Sequence, residues 1–193
     1  MIPADTTAAT AAALAAPTLL QGAHAQSVWP NRPLKIVVGF PGGSSPDLTA
    51  RLLAEPLQQA LGQPVVIENR PGAGGNIAAA QVARADDDHT IGLMINGNMT
   101  IAKILNPDTT YDPIKDLTPV SLIAVAPLVL SVPATVAESG AAYIAAARAS
   151  GDKWNYGTPG VGTVAHLGME LLKSRAGIAP VHVPYPGNPQ VIT

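Results

Sequence analysis

A chain of 193 residues of which 47% are hydrophobic and only 12% are charged has enough apolar side chains for a packed core, which argues against a disordered protein. The formal net charge is −2 and no cluster of lysine or arginine occurs, so the composition disfavours binding to nucleic acid or to an anionic membrane surface. The absence of cysteine excludes disulfides, thiol nucleophiles and cysteine-ligated metals.

The N-terminal segment has the pattern of an export signal. Residues 8–20 are apolar and mostly small, and Ala23-His24-Ala25 has the A-x-A form of a signal-peptidase site. The usual basic start is missing, since the first basic residue is Arg32, and an alanine-rich leader is the alternative. The apolar run is shorter than the ~20 residues that a retained membrane-spanning helix needs. We therefore predict that residues 1–25 are a signal peptide and that the protein is exported.

The first regular elements after this segment are a strand and a helix joined by a glycine-rich loop. Residues 34–39 predict a buried strand, because they are short, β-branched and followed by glycine and proline. Residues 40–47 lead into a helix that ends at Gly62. The apolar face predicted for this helix comprises Leu48, Leu52, Leu57 and Leu61. Pro56 lies inside the helix and predicts a kink there.

The rest of the chain repeats this alternation. Further strands are predicted at residues 65–68, 90–95, 154–156 and 181–183, and further helices at 76–85, shortly after 100, at 135–150 and from the loop 157–163 to Gly177. Thr135 and Glu138 form the S/T-x-x-E capping box that starts the third of these helices. The pattern predicts an α/β fold with parallel sheets, divided near Leu122 into a first lobe, residues 26–121, and a second lobe, residues 122–193.

Two of the loops are suited to binding an anion. Residues 40–47 and 157–163 each run into the start of a predicted helix, where unpaired backbone N–H groups and the helix dipole favour negative charge. Glycine allows close approach of the backbone to a ligand, and hydroxyl donors are supplied by Ser44, Ser45, Thr158 and Thr163. Tight turns and N-caps of this kind are also common without any ligand. If these loops bind a ligand, one such loop in each lobe suggests a clamp around an anion.

Nucleotide binding and metal binding have weaker support. The phosphate motif G-x-x-x-x-G-K-[ST] is absent, and Ile77 occupies the third glycine position of the dinucleotide fingerprint that begins at Gly72. The acidic turn of residues 86–89 could suggest a metal, but contiguous carboxylates on a short turn usually form a solvated surface.

A hydrolase is the enzymatic alternative. Its nucleophile would be Ser44 or Ser45. The general base would be His166 or His182, and Asp47 would orient that histidine. The G-x-S-x-G motif that would position such a serine is absent, so we expect no catalysis.

Four stretches, residues 29–47, 61–76, 111–122 and 155–185, contain motifs in a specific order and spacing. They include Pro41-Gly42-Gly43, then Glu68-Asn69-Arg70-Pro71-Gly72-Ala73-Gly74-Gly75-Asn76, and Tyr111-Asp112-Pro113. Over residues 29–187 the sequence resembles the Bug-type (TctC) solute-binding receptors of tripartite tricarboxylate transporters.

The resemblance implies a periplasmic-binding-protein type II fold, in which two parallel-sheet lobes close on a small carboxylate. It also implies a periplasmic location, an integral-membrane permease as partner, and neither catalysis nor a cofactor. A ligand-sensing partner of a signalling system is the alternative. The ligand-binding residues carried over by position are Phe40, Gly43, Ser44, Ser45, Asp47, Asn96, Asn98, Thr158, Gly160, Gly162, Thr163 and His166.

The sequence also departs from the family pattern. Val164 and Ala165 stand where the family has small hydroxyl residues, which puts the usual side-chain hydrogen bonds there in doubt. Chains of the family continue further than Thr193, so the second lobe is predicted to be incomplete. Uncovered sheet edges and apolar faces would then favour aggregation or pairing with another chain.

Overall fold

A computed structural model describes residues 29–193, so the predicted signal peptide lies outside the described residues. The first lobe contains a three-stranded parallel sheet in the order β2-β1-β3. Its strands are β1 (Leu34–Val38), β2 (Val65–Asn69) and β3 (Thr90–Leu93). Its helices are α1 (Ser45–Leu61), α2 (Asn76–Ala83) and α3 (Ala102–Leu105), with a π-helical turn at Gly97–Ile101 before α3. Parallel strands joined by helices confirm the predicted α/β class.

Strand β1 is the buried centre of this lobe, because it is hydrogen-bonded on both sides. Ile36 and Val38 pack against Ala50 of α1. Only part of the leucine face predicted for α1 packs against the sheet. Leu57 packs against this cluster, whereas Leu48 is 52% and Leu52 78% exposed. Near its start the helix packs through Asp47 and Ala50, whose smaller side chains allow close approach to the branched residues of β1. The helix continues through Pro56 and ends at Gly62 as predicted.

The second lobe contains a two-stranded parallel sheet of β4 (Asn155–Thr158) and β5 (Val181–Pro184). Its helices are α4 (Gly140–Ser150), α5 (Val164–Ala176) and α6 (Asn188–Ile192), the last of which was not predicted. The predicted start of α4 at Thr135 is wrong. Residues 133–136 form a turn, and the side chain of Ser139 caps the helix by accepting the Ala142 N–H.

The segment between the two sheets is unusual in its exposure. Every residue from 120 to 131 is exposed, including Val120 at 89% and Val125 at 86%, although the segment is strongly apolar. It forms no helix or strand. No helix within residues 29–193 has the length and hydropathy to cross a membrane.

Candidate functional site

The first loop presents hydrogen-bond donors at the start of α1. Ser44 is the N-cap residue, but its side chain makes no capping bond, and its hydroxyl is the one buried side-chain polar atom of residues 29–193 found without a hydrogen-bond partner. A helix leaves its first N–H groups without intrahelical partners. Pro46 has no N–H, so in α1 the unpaired backbone donors are those of Ser45 and Asp47. The start of this 17-residue helix, which is its positive end, therefore has three donors without a partner.

The side chain of Asp47 holds this loop in shape. Its carboxylate accepts the Gly43 N–H at 2.8 Å, the Asn69 amide at 2.9 Å and the Arg51 Nε–H at 3.0 Å. The Asn69 amide also donates to the Phe40 carbonyl at 2.9 Å. The hydrogen bond from Arg51, with those from Gly43 and Asn69, lowers the pKa of Asp47 to about 2 despite its burial. The charge of Asp47 is thus balanced by Arg51, and both of its carboxylate oxygens already accept hydrogen bonds that hold the loop in shape.

A second set of hydrogen bonds fixes the loops that follow β2 and β3. The side-chain amide of Asn98 donates to the Gly74 carbonyl at 2.9 Å and to Asn76 Oδ1 at 2.7 Å. Tyr111 donates its hydroxyl to the Asn98 carbonyl at 2.8 Å. Asn98 is only 2% exposed, so its role is to join the two loops from within. Asn96 is exposed, and its side-chain oxygen accepts the Gly97 N–H.

The second loop has a similar construction at the start of α5. Thr163 caps the helix by accepting the His166 N–H at 3.4 Å, and its hydroxyl donates to the Gly160 carbonyl at 2.8 Å. The Gly162 N–H donates to His166 Nδ1 at 3.2 Å. The unpaired first-turn donors of α5 are the N–H groups of Val164 and Ala165. Backbone donors remain available here even though both side chains lack hydroxyls.

A stack of three rings supports this second loop. The ring of His182 lies 4.9 Å from that of Tyr156 and 4.2 Å from that of His166, measured between centroids. His182 Nε2 lies 2.7 Å from the hydroxyl oxygen of Thr158. Burial, and then the neighbouring His166, lower the pKa of His182. A neutral His182 can accept a hydrogen bond from the Thr158 hydroxyl. This bond would hold the C-terminal end of β4, where the second loop begins.

The second loop meets the loops that follow β2 and β3 across the lobes. A Cβ atom added to Gly160 would lie 3.0 Å from Gly74 Cα, and one added to Gly97 would lie 2.6 Å from the Gly162 carbonyl oxygen. At another point, a Cβ on Gly187 would lie 2.7 Å from Pro41 Cδ. The backbone of the second lobe therefore touches the first lobe beside the loops that open α1 and α5.

The predicted site residues fall into two groups. Gly43, Ser44, Ser45, Gly160, Gly162 and Thr163 lie in the loops that open α1 and α5, and Asn96 lies exposed beside Gly97. Phe40, Asp47, Asn98 and Thr158 are buried, and His166 is bound to its own loop, so these five support the loops. Sequence reasoning missed the supporting residues Asn69, Asn76 and His182 and the backbone donors of Val164 and Ala165. The general chemistry of a helix start could have predicted the backbone donors, because every residue type except proline supplies one.

Other clusters have structural explanations. The turn of residues 86–89 holds the segment before β1 beside β3, since the Asp88 carbonyl accepts the Trp29 indole N–H at 3.0 Å and His89 Nε2 accepts the Asn31 N–H at 3.2 Å. A serine–histidine pair of the kind a hydrolase needs does not form at Ser44, whose hydroxyl has no partner within residues 29–193.

Two α/β lobes with parallel sheets, each with a glycine loop at a helix N-terminus, have the architecture of periplasmic binding proteins. The model of the family described as "Tripartite tricarboxylate transporter family receptor" matches residues 49–193. The chain belongs to this family, which confirms the resemblance seen in the sequence. The protein BugT of Bordetella pertussis is 39% identical over 163 residues, which cover 83% of this chain and 50% of BugT.

Solved structures show the same fold. A protein of R. palustris, solved with adipate, is 37% identical with a TM-score of 0.82, over 85% of this chain and 56% of that protein. MatC from Rhodopseudomonas palustris, solved with bound malate, is 31% identical with a TM-score of 0.68, over 82% of this chain and 55% of MatC. The chain spans about half the length of the curated relatives it matches.

Proposed function

We propose that this protein is a periplasmic receptor that captures a small carboxylate and delivers it to the integral-membrane permease of a tripartite tricarboxylate transporter. The observation that carries this proposal is the buried and unpartnered hydroxyl of Ser44 at the start of α1. A buried hydroxyl without a partner costs about 1–3 kcal/mol, and a ligand oxygen at this position would remove that cost.

The available donors suit a carboxylate. Ser44 Oγ and the N–H groups of Ser45 and Asp47 provide three donors from the first lobe, and the N–H groups of Val164 and Ala165 provide two from the second. Hydrogen bonds to a charged acceptor contribute about 1.5–3 kcal/mol each, roughly twice the value for neutral pairs. Donors from both lobes would make binding favour the closed arrangement of the lobes.

Dicarboxylates are the ligands we propose first, since two structural neighbours were solved with adipate and with malate. A ligand with two carboxylates could place one at each helix N-terminus or use the second for selectivity. Because the donors are neutral groups, the site would bind an anion without a lysine or arginine at its centre.

A thermal-shift screen of the purified protein against di- and tricarboxylates, acidic amino acids and aromatic acids tests the proposal. A ligand at 100 times its Kd stabilises the folded state by about 2.7 kcal/mol, which is easily detected. We expect a shift with one class of acid and none with the matched amide or alcohol. Failure of every acid to shift a cooperatively unfolding sample would contradict the proposed function.

A further inference from the structure

Several glycines lie where the two lobes touch. Gly74 and Gly97 of the first lobe meet the backbone at Val161 and Gly162, in each case with 2.6 Å between an added Cβ and a carbonyl oxygen. Carbon and oxygen atoms in ordinary contact lie about 3.5 Å apart, so a side chain at either position would hold the lobes about 1 Å further apart.

Most of these glycines are also required by their own backbone. Gly74, Gly160 and Gly162 have φ angles of +64°, +130° and +79°, a region that other residues avoid. Gly97 is different, because it is not among the glycines with positive φ and it begins a helical turn. A helical backbone does not require glycine, since alanine has the higher helix propensity. Within the first lobe, neither the backbone angles nor the nearest atoms require a glycine at position 97. The Gly162 carbonyl oxygen of the second lobe does, because it would lie 2.6 Å from an added Cβ.

We propose that Gly97 is a positioning residue whose missing side chain sets how closely the loop of residues 160–163 approaches the first lobe. This approach brings the N–H groups at the start of α5 toward the ligand held at the start of α1. The effect on ligand affinity rests on the proposed carboxylate binding. The steric part of the proposal, that Gly97 sets the distance between the lobes, can be tested without any ligand. Gly97→Ala separates the lobes while leaving each lobe folded.

The steric part is tested by the distance between the lobes. The sequence has no cysteine, so spin labels can be attached at Arg84→Cys in the first lobe and Ser174→Cys in the second, both at exposed positions. Pulsed electron paramagnetic resonance then compares Gly97→Ala with the control Gly140→Ala in ligand-free protein. Gly140 begins α4 and has no atom within 4 Å of an added Cβ. We expect a longer distance for Gly97→Ala and no change for Gly140→Ala.

An unchanged distance in Gly97→Ala would overturn the proposal, and so would loss of its helical circular-dichroism signal, because alanine suits the backbone there. The ligand arm uses calorimetric titration with adipate or with the acid identified by the screen. We expect Gly97→Ala to raise Kd about tenfold or more, the equivalent of losing one charge-assisted hydrogen bond, and Gly140→Ala to leave Kd unchanged. Equal Kd values for the unsubstituted protein, Gly97→Ala and Gly140→Ala would overturn the proposal that the distance between the lobes affects ligand binding. Absence of binding by the unsubstituted protein would instead contradict the proposed function, while the distance comparison would still decide the steric part.

Discussion

Replacing Ser44 by alanine should make the protein more stable and a weaker binder. Alanine at an N-cap usually costs about 0.5–2 kcal/mol, because the capping bond is lost. Ser44 makes no such bond, and its buried hydroxyl has no partner within residues 29–193. Removing an unsatisfied buried hydroxyl relieves a cost of about 1–3 kcal/mol, so we expect the free energy of unfolding without ligand to rise by about 1 kcal/mol.

The same substitution removes one donor to the bound carboxylate. A hydrogen bond to a charged group contributes about 1.5–3 kcal/mol, which predicts a roughly 10- to 150-fold rise in Kd. Chemical denaturation measures the first effect and calorimetric titration with the ligand measures the second. The opposite signs distinguish a binding residue from a structural one.

Ser139 offers a matched control, because it is also an N-cap serine but its side chain accepts the Ala142 N–H at 3.2 Å. Ser139→Ala should lower the free energy of unfolding by about 1 kcal/mol and leave Kd unchanged. The reasoning would be refuted if Ser44→Ala behaved in the same way as Ser139→Ala, with lower stability and unaltered binding.

Three further predictions concern charge and exposure. The pKa of Asp47 is lowered to about 2, so the ionised carboxylate contributes its full stabilisation above the unfolded-state pKa of 3.8 and loses it as the pH falls through 2. Chemical denaturation should therefore show that Asp47→Asn is destabilising at pH 7 and less so near pH 2. The pKa of His182 is lowered from 6.5, so the unfolded state binds a proton at this histidine more readily than the folded state. The protein should therefore lose stability as the pH drops below 6.5. Thermal unfolding at several pH values should show a weaker pH dependence of stability in His182→Gln. Val125 and Val129 are 86% and 74% exposed, so replacing both with lysine should reduce self-association in size-exclusion chromatography with light scattering.

Each of these has a result that contradicts it. An Asp47→Asn protein as stable as the parent at pH 7 would show that the hydrogen bonds from Arg51, Gly43 and Asn69 contribute nothing net. Equal pH slopes for His182→Gln and the parent would show that His182 does not cause the loss of stability below pH 6.5. A monomeric, cooperatively unfolding parent protein would mean that the exposed apolar segment does not drive association.

Local signals in the sequence predicted most of the regular elements. The strand at residues 34–38 and the helix that ends at Gly62 follow from β-branched residues, a glycine-rich turn and a left-handed C-cap, which all act over a few residues. The start of α4 was mispredicted because two N-cap signals lie four residues apart. Thr135 lies in the turn after Pro133, so the later serine caps the helix.

The site was predictable in outline but not in detail. Glycines and hydroxyls before a helix predicted that both loops open a helix, which is the feature on which the proposed anion binding rests. The bonds that shape the loops join residues far apart, such as Tyr111 with Asn76 and Asn69 with Phe40, and no local pattern predicts them. The sequence could not show that the Ser44 hydroxyl is unpaired, since a capping serine looks the same.

The location of the ligand is tested most directly by nuclear magnetic resonance titration of the ¹⁵N-labelled protein with adipate or the acid identified in the screen. The account predicts saturable shifts of the amide signals of Ser45 and Asp47 together with those of Val164 and Ala165, since these N–H groups open α1 and α5. Saturable binding that leaves all four signals unmoved would contradict the account.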